Sequence, residues 1–443
     1  MEADFSETTF ADLIQAGILE IGDGYRAKLS ELGGSGSIFL RAGHVTDQGI
    51  NFAGVERFSV ECSPALRSKT SRPGDVVVTT KGNSIGRTAY VTSEMPEFVY
   101  SPHLSFWRSH KPARLVPGFL RYWANGLDFI GQLHGMKAST DMAPYLSLSD
   151  QRRLKLSLPD ESTQKGIAEV LAALDEKIDL NRRMNGTLEA IAQAIFRSWF
   201  VDFDPVVARA AGRPPVGMDD DTATLFPSRF ADSKVGPVPF GWHVGYLVDV
   251  AEINARQITE RLAPVSIRYI DISAVSVGRI SAATQCSWTS APSRARRLVR
   301  HGDTLWSCVR PNRRSYCLIR HPDPDLVVST GFAVLSPLES SAITFVYLWT
   351  TTDDFVDYLT SHAEGSAYPA VRPDSFARAT VVIPPSQVLS VFESLVDPLL
   401  ELIWRNEEEA RTLEALRDAL LPKLLSGEIR VRKAEKRVEQ AGA

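Results

Sequence analysis

The sequence predicts an α+β chain built twice. Two globular mixed α/β domains stand in tandem, each followed by a long helix. The two helices are expected to pair as an antiparallel coiled coil with pseudo-twofold symmetry. Three observations predict this. The tetrapeptide TLEA occurs at 187–190 and again at 412–415. At that offset of 225 residues the chain aligns with itself from Leu158 to Ile195 without a gap. In both copies apolar residues recur at spacings of three and four, as a coiled-coil seam requires.

The first globular domain is expected over 1–157. Its strand signal is RPGDVVVTTKG (72–82), in which Gly-Asp precedes a β-rich run. VYSPHLSFW (99–107) and the helical PGFLRYWANGLDFIGQL (117–133) follow. The first long helix is expected over 158–201. It starts after Leu158-Pro159, because proline suits a first helical turn and disfavours helix before it. Its seam reads Ile167, Leu171, Leu174, Ile178, Asn181, Leu188, Ile191, Ile195 and Trp199. Residues 202–241 are rich in proline, glycine and acids and read as a linker.

The second domain, 242–382, echoes the first. RHGDTLWSCVR (300–310), VVSTGFAVL (327–335) and ITFVYLWTTTDDFVDYL (343–359) occupy the matching places, with Trp349 answering Trp123. The second helix is expected over 383–431, opening after Ile383-Pro384. Its seam is Phe392, Val396, Leu399, Ile403, Asn406, Leu413, Leu416, Leu420 and Leu424. Pro398 should kink this helix or mark its true start. One asparagine sits near the middle of each seam. A buried asparagine costs stability but fixes register when a polar partner meets it. Antiparallel pairing would bring Asn181 and Asn406 within about one turn of each other. Residues 432–443 read as a flexible, solvated tail.

The chain has 443 residues, which suggests two to four domains at roughly 150 residues each. Its hydrophobic share of 44% and charged share of 23% are ordinary globular values. No apolar run approaches the ~18–20 residues of a membrane helix. MEADFSETTF lacks the basic flank and apolar core of a secretory signal, so a cytoplasmic location is expected. The four cysteines (Cys62, Cys286, Cys308 and Cys317) form no CxxC pair and read as buried or free thiols. Cys308 and Cys317 could hold a metal only with help from His301 or His321, so no metal site is assigned.

The net charge is −4, but it is unevenly spread. Residues 285–322 hold eight arginines (Arg294, Arg296, Arg297, Arg300, Arg310, Arg313, Arg314 and Arg320) against one acid, Asp303. A basic stretch on an acidic chain points to a polyanion-binding face. A solvated arginine face paired with acids elsewhere is the alternative.

Enzyme signatures are missing. KGNSIGRT (81–88) has one residue too few between its glycines for a phosphate loop, and Arg87 stands where lysine is needed. There is no [DN]PP[YFW] motif to grip a flipped base, no FxGxG loop for a methyl donor, and no E-x-K pair after Asp75 for a nuclease metal. The histidines form neither HExxH nor HxH. The chain reads as a recogniser rather than a catalyst.

Three blocks carry a family resemblance. LDEKIDLNRRMNGTLEAIAQAIFRSWFVDFDPV (174–206) resembles the central conserved region of the specificity (S) subunits of type I restriction-modification enzymes. LFPSRFADSKVGPVPFGWHVGYLVDV (225–250) resembles the start of their second target-recognition domain. LRDALLPKLLSGEIRV (416–431) resembles their C-terminal helix end. The blocks span about 75 residues, and the repeat extends the likeness over most of the rest. The opening of the second helix, VLSVFESLVDPLLELIW, departs from the pattern.

The resemblance implies a non-catalytic DNA-binding subunit that binds no cofactor. Its two target-recognition domains, 1–157 and 242–382, would each read half of a split site in double-stranded DNA. The helices would space them and dock two methyltransferase (M) subunits; restriction (R) subunits complete the enzyme. S-adenosylmethionine, ATP and Mg would reside in those partners. No membrane role is implied. A stand-alone methyltransferase or nuclease with undetected motifs is the competing reading. A helix of about 35–40 residues is ~50–60 Å long, enough to span half-sites roughly 34–36 Å apart. For DNA contact the candidates are Lys81, Asn83, Ser84 and Arg87 in the first domain, and Arg310, Asn312, Arg313 and Arg314 in the second. The expected helix interface is Leu171, Leu174, Ile178, Asn181, Leu188 and Ile195 against Val396, Leu399, Ile403, Asn406, Leu413 and Leu420.

Overall fold

The computed structural model describes residues 5–47, 49–59, 64–138, 145–259 and 264–442. Cys62 lies outside them. The chain divides into two units. Unit 1 comprises residues 1–181 and 408–443, and unit 2 comprises 182–407. Each unit therefore holds one globular part and one end of each long helix.

Unit 1 is built on a four-stranded sheet ordered Leu19–Asp23, Leu104–Ser109, Val76–Thr79, Thr88–Tyr90, antiparallel throughout. A second sheet is ordered Glu56–Arg57, Ile38–Leu40, Phe98–Tyr100, with the last two strands parallel. Ser6–Thr9 pairs with Lys155–Leu158, and Val45–Thr46 with Gly49–Ile50.

Unit 2 repeats this plan. Its four-stranded sheet runs Ala251–Ile253, Phe332–Pro337, Thr304–Ser307, Tyr316–Leu318. Its second sheet pairs Ser266–Ile270 in parallel with Leu326–Ser329, with Thr284–Ser287 and Ala295–Leu298 outside them. His243–Tyr246 pairs with Thr380–Ile383, and Val275–Ser276 with Arg279–Ile280. The offset of 225 reaches back to the short helices Leu148–Arg152 and Pro373–Ala377. The duplication is thus written in the strand order as well as in the helices.

The Gly-Asp echo has a structural cause. Gly74 (φ 94°) and Gly302 (φ 88°) turn the chain into the left-handed region that glycine tolerates. The aspartates that follow are fully buried. Asp75 accepts from the Arg72 amide at 2.8 Å, and Asp303 from the Arg300 amide at 2.7 Å, so each closes its own turn. Each also receives an arginine from elsewhere in its unit. Arg108 donates to Asp75 through Nε and Nη2, both at 2.7 Å, and Arg256 Nη2 donates to Asp303 at 2.9 Å.

The first long helix runs Glu161–Phe200 and the second Ser386–Leu425. Asp160 caps the first, accepting from the Thr163 amide at 3.0 Å. Gly427, in the left-handed region, follows the last turn of the second. Pro398 neither starts nor ends the second helix, which begins twelve residues earlier at Ser386.

The helices pair antiparallel within each unit. In unit 1 Leu171, Leu174, Ile178, Leu413 and Leu420 are buried in one core with Phe10, Trp107 and Trp123. Asp175 accepts from Arg417 at 2.9 Å across the pair, and from Arg121 and Tyr122 of the globular part at 2.7 and 2.8 Å. In unit 2 Val396 is buried, with Leu399, Ile403 and Ile195 half-buried against the same core. Leu188 is half-buried.

The second half of the first seam differs from its expected line. Ile191 is 44% exposed, and Ala192 and Phe196 turn inward instead. A helix of 3.6 residues per turn drifts by ~20° per heptad against a strict 3/4 repeat, so the buried stripe moves by one position. The polar layer also contains a residue that the 3/4 count did not select. Asn185 receives a hydrogen bond from Asn406 Nδ2 at 2.8 Å in unit 2, whereas in unit 1 Asn181 donates to Glu409 at 2.7 Å.

Two further expectations are corrected. Residues 202–241 carry helices Asp204–Ala210 and Asp220–Thr224, and Val206 and Phe226 are buried in the unit 2 core. The C-terminal stretch forms a helix, Val431–Gln440, whose Ala434 and Val438 are buried in the unit 1 core. An i, i+3, i+7 stripe of Val431, Ala434 and Val438 was the missed signal. Among the described residues no helix is long and apolar enough to cross a membrane.

Candidate nucleic-acid interface

The residues proposed for DNA contact fall on topologically equivalent loops. Each loop joins the third and fourth strands of its unit's four-stranded sheet. In unit 1 the turn is closed by Gly82 and Gly86, both at positive φ, and by Gly86 N–H donating to the Thr79 carbonyl at 2.8 Å. Lys81 and Asn83 are exposed, and Ser84 is half-buried with its carbonyl accepting from Thr79 Oγ1. Arg87 points back into the fold. It pairs with Asp47 at 2.7 Å and donates to the Val45 carbonyl at 3.2 Å, so it anchors the loop.

In unit 2 the loop is held by two non-glycine residues in the left-handed region, Arg310 (φ 52°) and Arg314 (φ 55°). Such strain persists only where surrounding contacts fix it. Here Arg310 N–H donates to the Pro369 carbonyl at 2.7 Å, its Nη2 to the Ala367 carbonyl at 3.2 Å, and its guanidinium lies 4.7 Å from the Tyr368 ring centre. Arg314 is ion-paired with Asp353. Asn312 and Arg313 are exposed, and Arg313 has no ion-pair partner among the described residues. Of the four unit 2 candidates, Asn312 and Arg313 are presented outward, while Arg310 and Arg314 shape the loop.

Sequence reasoning missed the second segment beside each loop. In unit 1 Lys81 bridges to Tyr145, and in unit 2 Val309 bridges to Ala370, two residues after Tyr368. Tyr145 is 54% exposed and Tyr368 71%. Each loop tip thus combines cationic or amide donors with an exposed aromatic ring. Those groups suit phosphate contact and base-edge hydrogen bonding. Nothing in the spelling of 364–370 marks an exposed ring; only the fold does.

The eight-arginine window is not one basic face. Arg320 is buried and bonds Glu401 at 3.2 Å and, more closely, Asp397. Arg300 pairs with Asp303 at 3.6 Å, and Arg296 lies 4.5 Å from the Trp288 ring centre. Arg297 is buried. Most of the window therefore serves unit 2 internally. Cys308 and Cys317 are buried, and burial pushes the Cys308 thiol up to about 11.

The His301 and His321 rings lie 4.8 Å apart, tilted by 52°, and His321 Nε2 lies 3.0 Å from Glu401. Burial, then the Arg320 and His321 charges, holds His301 below its ordinary 6.5. Burial pushes Glu401 up, but hydrogen bonds and charge from His321 and Arg320 together hold it below 4.5. Both shifts give stability that is present at neutral pH and lost on acidification. The His301 share goes as pH falls through 6.5, and the Glu401 share below 4.5. The melting temperature of unit 2 is expected to drop between about pH 8 and about pH 5, and to drop less in His301→Gln. Equal pH dependence in both proteins would discard the His301 contribution.

No family model matches the chain. The HindI specificity subunit of the type I restriction enzyme of Haemophilus influenzae is 24% identical over 441 residues, covering 88% of this chain and 94% of that protein. The MjaIX specificity subunit of Methanocaldococcus jannaschii is 24% identical over 297 residues, covering 65% of this chain and 63% of that protein. The crystal structure of a type I restriction-modification S subunit from M. genitalium superposes with a TM-score of 0.59 at 13% identity, covering 95% of this chain and 96% of that one, which speaks to the fold alone. Across 88% of its length the chain is similar in sequence to a type I restriction enzyme specificity subunit, and across 95% it shares the fold of another.

Proposed function

We propose that this chain is the non-catalytic DNA-specificity subunit of a type I restriction-modification enzyme. The observation that carries the reading is the repeat of the four-stranded sheet, its strand order and its outward loop in two globular parts, in a chain akin to specificity subunits along its length. Each globular part reads one half of a bipartite site in double-stranded DNA. The paired helices space the halves and offer two equivalent docking places to two M subunits, and R subunits join them. S-adenosylmethionine, ATP and Mg belong to those partners.

Arg313 tests the reading head. In the assembled complex Arg313→Ala is expected to cost ~1–3 kcal/mol against one base position if the side chain reads guanine. If it meets a phosphate, all sequences weaken alike and the salt slope falls by about one. Either loss should respect the duplication, with any relaxed reading confined to one half of the motif. Unchanged binding to a panel of single-base variants would remove this loop from the interface. Arg310→Ala is expected to act through the Tyr368 segment that it holds.

The helices test the spacer. An insertion after Ala190 alone would slide Phe196 and Phe200 off Phe392, whose ring centres lie 6.1 and 4.7 Å away. A matched insertion of one heptad in both helices, after Asn181 and after Glu407, falls between the two units and keeps each unit's contacts. It lengthens the pair by ~10 Å, so the unread gap in the methylated motif should grow by about three base pairs with both halves unchanged. An unaltered gap would end the spacer role.

A further inference from the structure

Unit 1 contains a polar cleft that the proposed reading loop does not use. It has a volume of about 670 Å³ and is lined by Arg57, Arg67, Arg72, Ser37, Ser71 and Glu97, among others. Three arginines and one carboxylate are among its lining residues. Among the described residues none of the three arginines forms an ion pair, whereas Arg41, Arg87, Arg108 and Arg121 of the same unit all do. Arg57 is held at the rim by donating to the Gly36 carbonyl at 3.1 Å. Ser71 is 5% exposed, and its hydroxyl accepts from the Phe98 amide at 3.0 Å, which leaves its own proton to donate. Guanidinium forks with hydroxyl donors are the chemistry that recognises phosphate oxygens.

The position is as informative as the composition. Ser37 and Glu97 lead into the parallel strands Ile38–Leu40 and Phe98–Tyr100, so the cleft lies at their N-terminal ends. The loop 81–87 is tied to the other end. Arg87 bonds Val45, and Thr80 N–H donates to the His103 carbonyl at 2.9 Å, in the segments that leave those strands. A ligand reaching both places extends along the length of the sheet.

Building on the DNA-reading function proposed above, we infer that this cleft binds backbone phosphates of the duplex outside the half-site that the loop reads. It adds affinity and orientation without reading sequence. The experiment compares the full chain in its partner complex with Arg67→Ala/Arg72→Ala and Arg67→Lys/Arg72→Lys. Binding is measured over a salt series, on duplexes with long flanks and on duplexes trimmed to the motif. The alanine pair is expected to lose roughly tenfold in affinity for every single-base variant alike, and about two from the salt slope. The lysine pair should recover the slope, and trimming the flanks should abolish the difference between the proteins. An unchanged slope in the alanine pair, or a loss confined to one base position, overturns the inference. So does saturable binding of inorganic phosphate that the alanine pair lacks while its DNA affinity is intact, since the cleft would then serve free phosphate. Failure of the unaltered complex to bind any duplex would instead overturn the proposed function.

Discussion

Asp75→Ala is expected to destabilise unit 1 by about 3–5 kcal/mol, because it leaves a buried guanidinium without its counter-ion. Asp75 is fully buried, and the Arg108 side chain is only 6% exposed. The carboxylate receives both prongs of the Arg108 fork at 2.7 Å, the Tyr100 hydroxyl at 2.7 Å and the Arg72 amide at 2.8 Å. Burial, reinforced by the Asp75 charge, pushes the Tyr100 phenol upward, so it stays a donor. Alanine removes the acceptor of four hydrogen bonds at once. Arg108 would keep the Thr70 carbonyl at 3.0 Å and Glu20 at 3.6 Å, which do not replace a bidentate partner. Asp75→Asn keeps the shape and loses the charge, so it should fall between alanine and the unaltered chain. Urea unfolding of the set, with Arg108→Met added, gives the coupling energy. A loss below about 1 kcal/mol for Asp75→Ala would mean that water replaces the carboxylate, contrary to the burial argument.

Phe392→Ala should be of similar size, about 3–5 kcal/mol, and should act on unit 2. Phe392 is fully buried where the second long helix meets the end of the first. Its ring centre lies 4.7 Å from Phe200, 5.7 Å from Trp199 and 6.1 Å from Phe196. The contacts with Phe200 and Phe196 are edge-to-face, and such contacts add to the transfer energy of the ring. The cavity left by alanine cannot close easily, since Phe200 also packs on Phe345 of the globular part at 5.0 Å. Leu402→Ala on the same helix, at a side chain 38% exposed, is the comparison and should stay within about 0.5 kcal/mol. Equal effects of the two substitutions would contradict the assignment of Phe392 to the junction core.

The repeat was legible because it is a pattern in the chain itself. The 225-residue offset, the proline boundaries and the 3/4 spacing are local, and helix periodicity turns them into a face without knowledge of the rest. Leu171, Leu174, Ile178, Val396, Leu413 and Leu420 follow directly. The Gly-Asp echo was visible too, although its cause, a buried aspartate clasped by Arg108 or Arg256 from distant sequence, was not. The family likeness rested on the blocks around the helices, where the spelling is constrained by that same geometry.

What only the tertiary structure decided is where each polar side chain goes. In the spelling, Arg87, Arg310, Arg313, Arg314 and Arg320 are alike. In the fold, Arg87 and Arg314 are tied to Asp47 and Asp353, Arg310 to Tyr368, and Arg320 to the second helix, while Arg313 stands outward. The same holds for Ile191 against Ala192, where a drift of ~20° per heptad exchanged the buried and exposed positions. The sequence by itself determined the duplication, the two long helices and most of their seam, because helix faces depend on neighbours three and four residues apart. The tertiary structure alone decided which arginines are free to meet a ligand, because these ion pairs depend on partners 39 to 81 residues away that no local pattern announces.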